Sequence, residues 1–119
     1  MGDGITLRFA VRASDLLVRQ MAEIEGTYPQ LKGFLNAIIA TYDNLIEGRP
    51  GERKVAKYRP RQKAGPNEPL HTFNTIAVFL RFEKAVAYIE GLWFVDNDVA
   101  LGVARDVKRA RQAATQNSN

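Results

Sequence analysis

The chain opens with apolar residues at every second position. One side of this segment carries Ile5, Leu7, Phe9 and Val11. The other side carries Thr6, Arg8 and Ala10. A period of two is the repeat of a β-strand that is buried on one face. The pattern therefore predicts a half-buried strand at the start of the chain.

Two helices are predicted after this strand. The first begins near residues 13–14, carries an apolar stripe at helical spacing, and ends at Gly26. The second begins at Thr27, because Thr27 and Gln30 have the spacing of a capping box, and it ends near Gly48. The first half of the chain is thus predicted as strand, short helix and longer helix.

The second half shows the same order of elements. The apolar run Thr75–Leu80 predicts a strand. A helix is predicted from about Glu83, with its apolar positions at Ala85, Ile89, Leu92 and Trp93. The polar residues 96–98 break that helix and cap a last one, whose stripe is Val99, Val103, Val107 and Ala110. Residues 113–119 are polar and are expected to fray.

The positive charge is concentrated between the two halves. Residues 49–63 hold seven bases and one acid, residues 1–48 hold four bases and six acids, and residues 64–119 hold six of each. Proline and glycine recur in the central segment. This composition predicts a flexible basic linker over residues 49–70, and a net charge of six in so short a stretch favours contact with a phosphate backbone. The linker bases assigned to phosphate are Arg53, Lys54, Lys57, Arg59, Arg61 and Lys63.

The overall composition excludes several classes of protein. Hydrophobic residues make up 45% of the 119 residues and charged residues 25%, as in globular domains. The absence of cysteine excludes disulfides and thiolate metal sites, and the one histidine, His71, excludes a histidine metal cluster. No apolar run is long enough to span a bilayer and the start lacks the pattern of a signal peptide. A cytoplasmic protein without cofactor is expected.

The two halves together predict one domain over residues 1–119. The pattern predicts a β-α-α unit at residues 4–48 and another at residues 71–112. Neither unit is large enough to bury its own apolar surface. If the two strands pair antiparallel, the four helices close a shared core beneath them. The result is a mainly α fold with a two-stranded antiparallel ribbon, of a size that fits the major groove of DNA.

The strand at residues 5–11, the short helix ending at Gly26 and the capped helix at Thr27 resemble the ribbon-helix-helix family of DNA-binding proteins. Two such units in one chain are similar to accessory proteins of bacterial plasmid T-DNA border processing and transfer. The resemblance implies a monomeric pseudo-dimer that binds double-stranded DNA, with a relaxase or another DNA-processing protein as a further partner. It assigns base reading to Thr6, Arg8, Ala10, Thr75 and Ala77, and phosphate binding to Thr27 and Tyr28.

Two departures from the family pattern stand out. The second strand offers no long polar side chain to read a base, and Asp96 and Asp98 occupy the turn where the second phosphate would bind. The alternatives are a plasmid repressor with the same fold and a protein-interaction adaptor that does not bind DNA. An enzyme is disfavoured, because the sequence has no histidine or cysteine constellation and no glycine-rich phosphate loop.

Overall fold

The computed structural model describes residues 6–60 and 75–116. Within them, three α-helices accompany a five-stranded mixed sheet and a separate pair of two-residue strands. The strands are β1 (Leu7–Arg8), β2 (Ala10–Ala13), β3 (Glu47–Gly48), β4 (Arg53–Tyr58), β5 (Ile76–Phe82), β6 (Val86–Phe94) and β7 (Val99–Gly102). The helices are α1 (Asp15–Thr27), α2 (Phe34–Tyr42) and α3 (Val103–Gln116), with 3₁₀ turns at Pro29–Leu31 and Val95–Asn97.

Strand β6 organises the main sheet. The strand order is β2-β6-β5-β4, and β7 also pairs with β6. Strand β2 pairs in parallel with the first half of β6, with Val11 opposite Ala87. Strand β7 pairs antiparallel with the second half of β6, with Leu101 opposite Leu92. Strand β5 runs antiparallel along the other side of β6, and β4 pairs antiparallel with β5. The short strands β1 and β3 pair separately.

The inner face of the sheet carries the hydrophobic core. Every second residue of β5 is fully buried, and these residues pack with Leu17 and Met21 of α1 and with Leu35 and Ile38 of α2. Phe9 closes one end of the core by meeting the ring of Phe82 edge to face, with centroids 4.9 Å apart. Helices α1 and α2 thus cover one face of the sheet, while α3 lies on the other.

A β-bulge in β6 brings α3 onto the outer face. Phe79 pairs with Gly91 and Leu80 pairs with Ile89, so Glu90 has no partner in the ladder. A Cβ on Gly91 would lie 2.6 Å from the backbone nitrogen of Ala104, at the start of α3. Glycine is therefore required at position 91 by the close approach of the helix.

The predicted fold class is wrong. The described residues form a mixed α/β fold with a parallel strand pair, and not a mainly α ribbon-helix-helix pseudo-dimer. The predicted ribbon would pair the first strand with Thr75–Leu80, but β6 lies between β2 and β5. The one two-stranded ribbon in the described residues joins β1 to β3 and holds two residue pairs.

The helix predicted from about Glu83 is also wrong, since this segment is strand β6. Its apolar positions Ile89 and Leu92 are three residues apart, as on a helix, yet both point into the core. The bulge at Glu90–Gly91 explains this spacing, because both of its residues face outward and the inward series resumes one position later.

Other predicted elements are confirmed, some with shifted bounds. Helix α1 begins where it was expected, with the Ser14 side chain accepting a hydrogen bond from the Leu17 N–H. Strand β5 matches the predicted second strand. The last helix begins at Val103, because the preceding residues 99–102 form β7. The segment predicted as a linker contains strand β4, and none of the described helices is long and apolar enough to cross a membrane.

We expect Gly91→Ala to lower the free energy of unfolding by about 1–3 kcal/mol, because the new Cβ pushes α3 off the sheet. The backbone of Gly91 lies outside the left-handed region, so the effect is steric. Gly26→Ala is the matched control, since nothing lies within 4 Å of its Cβ position. That change in α1 should stabilise the chain slightly. Urea unfolding measures both, and equal stabilities of the two variants would contradict the close approach.

Candidate nucleic-acid interface

Strand β4 forms one edge of the sheet and carries most of the concentrated positive charge that the structure describes. Residues 49–60 contain five bases and one acid, Glu52. We call the five bases the cationic edge; they are Arg49, Arg53, Lys54, Lys57 and Arg59. All five are exposed. Strand β4 pairs with β5, and no other described strand pairs with β4.

The part of the opposite edge formed by β2 is covered. The backbone N–H of Val11 in β2 donates to the Asp43 carboxylate over 2.9 Å, so a side chain from the end of α2 replaces a neighbouring strand. The two edges therefore differ: β2 is closed by an acidic side chain, whereas β4 is basic and has no second partner strand among the described residues. An open basic edge attracts an anionic partner.

The register of β4 divides the cationic edge between two faces. Arg53 lies opposite Arg81 and Lys57 opposite Ala77, which places both on the outer face. Lys54 lies on the inner face, where its Nζ donates to the carbonyl of Glu47 over 2.6 Å and sits 5.7 Å from the centroid of the Phe82 ring. Lys54 thus has a structural role, whereas Arg53 and Lys57 are available to a ligand.

A row of side chains crosses the outer face from the cationic edge. Arg53 pairs with Arg81, Arg81 with Tyr88, and Tyr88 with Arg12, so the row spans four strands, or about 14 Å. Arg81 is held at the centre by Glu83 and Glu90 and lies 5.3 Å from the Tyr88 ring centroid. We call Arg12, Tyr88, Arg81 and Arg53 the arginine row.

The ends of the arginine row carry the unneutralised charge. Arg12 and Arg53 are both exposed, and no carboxylate from residues 6–60 or 75–116 forms an ion pair with either of them. Neither Arg12 nor Arg81 was identified as a site residue from the sequence, because strand pairing, rather than proximity in the chain, brings them into line with Arg53. Only the register of the paired strands would have identified Arg12 and Arg81.

A cavity of about 420 Å³ lies at the far end of the cationic edge. Its walls include Tyr42, Lys57, Tyr58 and Arg59. The Tyr42 hydroxyl donates to the carbonyl of Lys57 over 3.0 Å and so ties α2 to β4. Burial, with a further contribution from the neighbouring Tyr58, raises the pKa of Tyr42 above its ordinary value of 10.0. The hydroxyl therefore stays protonated and keeps this bond at neutral pH.

The predicted base-reading residues do not form one surface. Thr6 and Arg8 lie at the β1–β3 pair, where Arg8 Nε is 4.0 Å from Glu47 Oε1 and Thr6 donates to the same carboxylate. Ala10 is half-buried in β2. Thr75 precedes β5, and its N–H donates to Asp96. Only Ala77 is on the outer face beside the cationic edge, opposite Lys57.

The predicted phosphate clamp at Thr27 and Tyr28 has a different structure. Thr27 is the last residue of α1, and Tyr28 is its C-cap, with its N–H donating to the carbonyl of Ile24. Helix α2 begins later, at Phe34, after a Gly33 with a φ of 84°. The end of a helix presents carbonyl groups and a partial negative charge, so this position does not favour an anion. The prediction that the second helix begins at Thr27, which was based on the capping box, is therefore wrong.

Of the remaining predicted phosphate ligands, the structure describes only Arg59. Arg59 follows β4 directly and lines the cavity, while Arg61 and Lys63 lie outside the described residues. On α3, Arg105 and Arg109 are exposed, whereas Lys108 pairs with Asp98 over 2.8 Å. Helix α3 thus adds a smaller set of positive charges beside the outer face.

Comparisons of the chain with protein-family models, with curated proteins and with solved structures give no match. The site must therefore be interpreted from its own geometry. The acidic side chains of the described residues form no group of three that could hold a metal ion. The chemistry that this surface offers is cationic and aromatic, which suits the binding of a polyanion.

We expect Tyr42→Phe to remove a late ionisation step, above pH 10.0, when the phenolate absorbance is followed during an alkaline titration. Because the pKa of Tyr42 is raised in the folded state, its contribution to stability is fully present below pH 10.0 and is lost as the pH rises beyond that value. At neutral pH the variant should lose about 1 kcal/mol of stability with the hydrogen bond. Tyr28→Phe, the control, should retain the late step. A late step that persists in Tyr42→Phe would contradict this assignment.

Proposed function

We propose that the protein binds nucleic acid, with the phosphate backbone lying along the cationic edge and the arginine row. The observation that carries the proposal is the open strand β4, on which Arg53 and Lys57 project from one face with no acidic partner among the described side chains. Exposed cations of this kind can neutralise phosphates of a nucleic-acid backbone.

The charge distribution further supports this proposal. The net charge of the whole chain is only +4, so a general excess of bases does not explain the positive edge. The folded structure adds Arg12 to the same outer face, although it is far from β4 in the sequence. The positive charge is therefore gathered by strand pairing as well as by composition. Such a local field favours binding to a polyanion and speeds its encounter.

This mode of binding differs from insertion of a ribbon into the major groove. The cations lie along one side of a sheet, and they contact phosphates rather than base edges. Contacts of this kind position a nucleic acid but carry no direct sequence information. Affinity along this edge should accordingly depend strongly on salt and little on the order of the bases.

We expect the double variant Arg53→Gln, Lys57→Gln to weaken binding to every duplex by a similar factor and to reduce the salt dependence. Loss of two phosphate contacts should lower the slope of log K against log salt by about 2. Fluorescence anisotropy of a labelled DNA duplex across a salt series measures both effects. Arg19→Gln, Lys32→Gln is the matched control, because it removes one arginine and one lysine from exposed positions outside the sheet.

An unchanged slope in the Arg53, Lys57 variant would overturn the assignment of phosphates to this edge. Equal losses in the test and control variants would reduce the effect to net charge. Thermal melting of both variants checks folding; exposed substitutions of this kind should leave stability within about 0.5 kcal/mol.

A second candidate function is protein binding by strand addition to β4. The open edge favours this function, because unpaired backbone groups on an edge strand are a template for another strand. The two functions predict different protection of the β4 amides in hydrogen exchange. Phosphate contacts through Arg53 and Lys57 leave the β4 amides that do not bond β5 unprotected, whereas an added strand protects them.

A further inference from the structure

We propose that a groove between α3 and the outer face of the sheet holds one unstacked base of a single-stranded nucleic acid, and that Glu90 selects bases that carry an amino group. This inference rests on the proposed nucleic-acid binding and names the form of ligand. The groove has a volume of about 160 Å³. It lies between Val103 and Val107 of α3 on one side and Arg53, Val55 and Phe79 on the other.

The walls of the groove are mainly apolar and include one aromatic ring, and Arg53, Lys54 and Glu90 contribute charged groups to the lining. Phe79 faces outward from β5, opposite Gly91, and is only half-buried. Val55 is 57% exposed on the neighbouring strand, although it is a large apolar residue. A base fits such a surface because its flat face stacks on an aromatic side chain and its edges are excluded from water by aliphatic groups.

The size of the groove limits what it accepts. Pockets for drug-sized ligands are typically about 300–1,000 Å³, so a groove of about 160 Å³ takes a single small ring system. Gly91 is the reason that the groove is closed on one side, because its missing side chain lets α3 approach the sheet.

Glu90 places a carboxylate among these apolar groups. Its Oε1 accepts from Arg81 Nε over 2.5 Å, which fixes the side chain while leaving Oε2 to accept from a ligand. The Glu90 side chain is 22% exposed, so a hydrogen bond made there is partly shielded from water. Carboxylates accept from the amino group of cytosine, whereas thymine and uracil present a carbonyl oxygen at the same position and would be repelled. Cytosine is therefore favoured over uracil.

Arg53 connects the groove to the phosphate path. It lines the groove and also ends the arginine row on the cationic edge. A nucleotide whose base enters the groove would have its phosphate beside this exposed guanidinium. The base site and the backbone site are thus contiguous, as required for a polymer that occupies both at once.

The test is fluorescence anisotropy of the full chain with labelled oligo-dC, oligo-dU and duplex DNA, each of about ten nucleotides, at slightly alkaline pH and constant salt. We expect oligo-dC to bind about tenfold tighter than oligo-dU. Glu90→Gln should abolish that preference, because the amide of glutamine also donates to a carbonyl oxygen. Phe79→Leu should weaken both single strands about tenfold and leave the duplex unchanged.

The matched control for Phe79→Leu is Phe34→Leu, which alters a half-buried phenylalanine packed against the core on the helix side of the sheet. If Phe79→Leu fails to fold, as judged by thermal melting, Val107→Phe takes its place. It fills the groove from α3 without changing charge and should weaken single-strand binding alone.

The possible outcomes separate this inference from the proposed function. Equal affinity for oligo-dC, oligo-dU and duplex, unchanged by Glu90→Gln and by the groove variants, would overturn the base site and leave backbone binding intact. A preference for oligo-dC that survives Glu90→Gln would overturn the role of Glu90. No binding of any of the three probes at low salt would overturn both proposals.

Discussion

The bulge at Glu90 and Gly91 determines how both faces of the sheet are used. An extra residue in β6 turns two consecutive side chains outward and then restores the inward alternation, so Ile89 and Leu92 both remain in the core. On the outer side the same two residues have opposite roles. Gly91 leaves room for α3, and Glu90 places a carboxylate beside that helix. Without the bulge, either the inward alternation that keeps Ile89 and Leu92 in the core or the close packing of α3 on the sheet would be lost.

Local signals in the sequence were sufficient for several elements. The cap at Ser14 and the apolar period of two in residues 75–80 predict α1 and β5 because both depend on neighbouring residues. Strand β6 was missed because its bulge gives the apolar positions a helical spacing. Because β6 was predicted as a helix, the strand that pairs with β5 was missing from the prediction. The first strand of the chain was therefore paired with β5 instead.

The candidate site was only partly predictable for the same reason. The basic composition of residues 49–63 singled out Arg53 and Lys57 as candidate phosphate ligands without any knowledge of the fold. Their relation to Arg12 depends on a parallel pairing between β2 and β6, which leaves no local pattern in the sequence. Composition thus located the charge, while topology decided which face of the sheet presents it and which aromatic residues accompany it.

An open edge of a sheet can pair with strands of other molecules, and it can also offer a surface to a ligand. An edge strand with free backbone groups tends to pair with other strands, and charged side chains along it oppose that pairing. At β2 the problem is solved by Asp43, which accepts from the Val11 N–H. At β4, repulsion between like charges opposes strand pairing, and the proposed anionic ligand would relieve that repulsion. The same cations would therefore disfavour pairing between two copies of this edge and favour a polyanion.

The width of the sheet favours a particular form of that polyanion. A two-stranded ribbon enters the major groove of DNA, which is about 12 Å wide, whereas the four strands crossed by the arginine row already span about 14 Å between their axes. Helix α3 stands beside this surface and widens it further. Such a face is too wide for the major groove, so under the proposed function bases would reach it only when they are unstacked. A single strand meets this requirement at the lowest energetic cost, because its bases need not be separated from a partner before they turn toward Phe79.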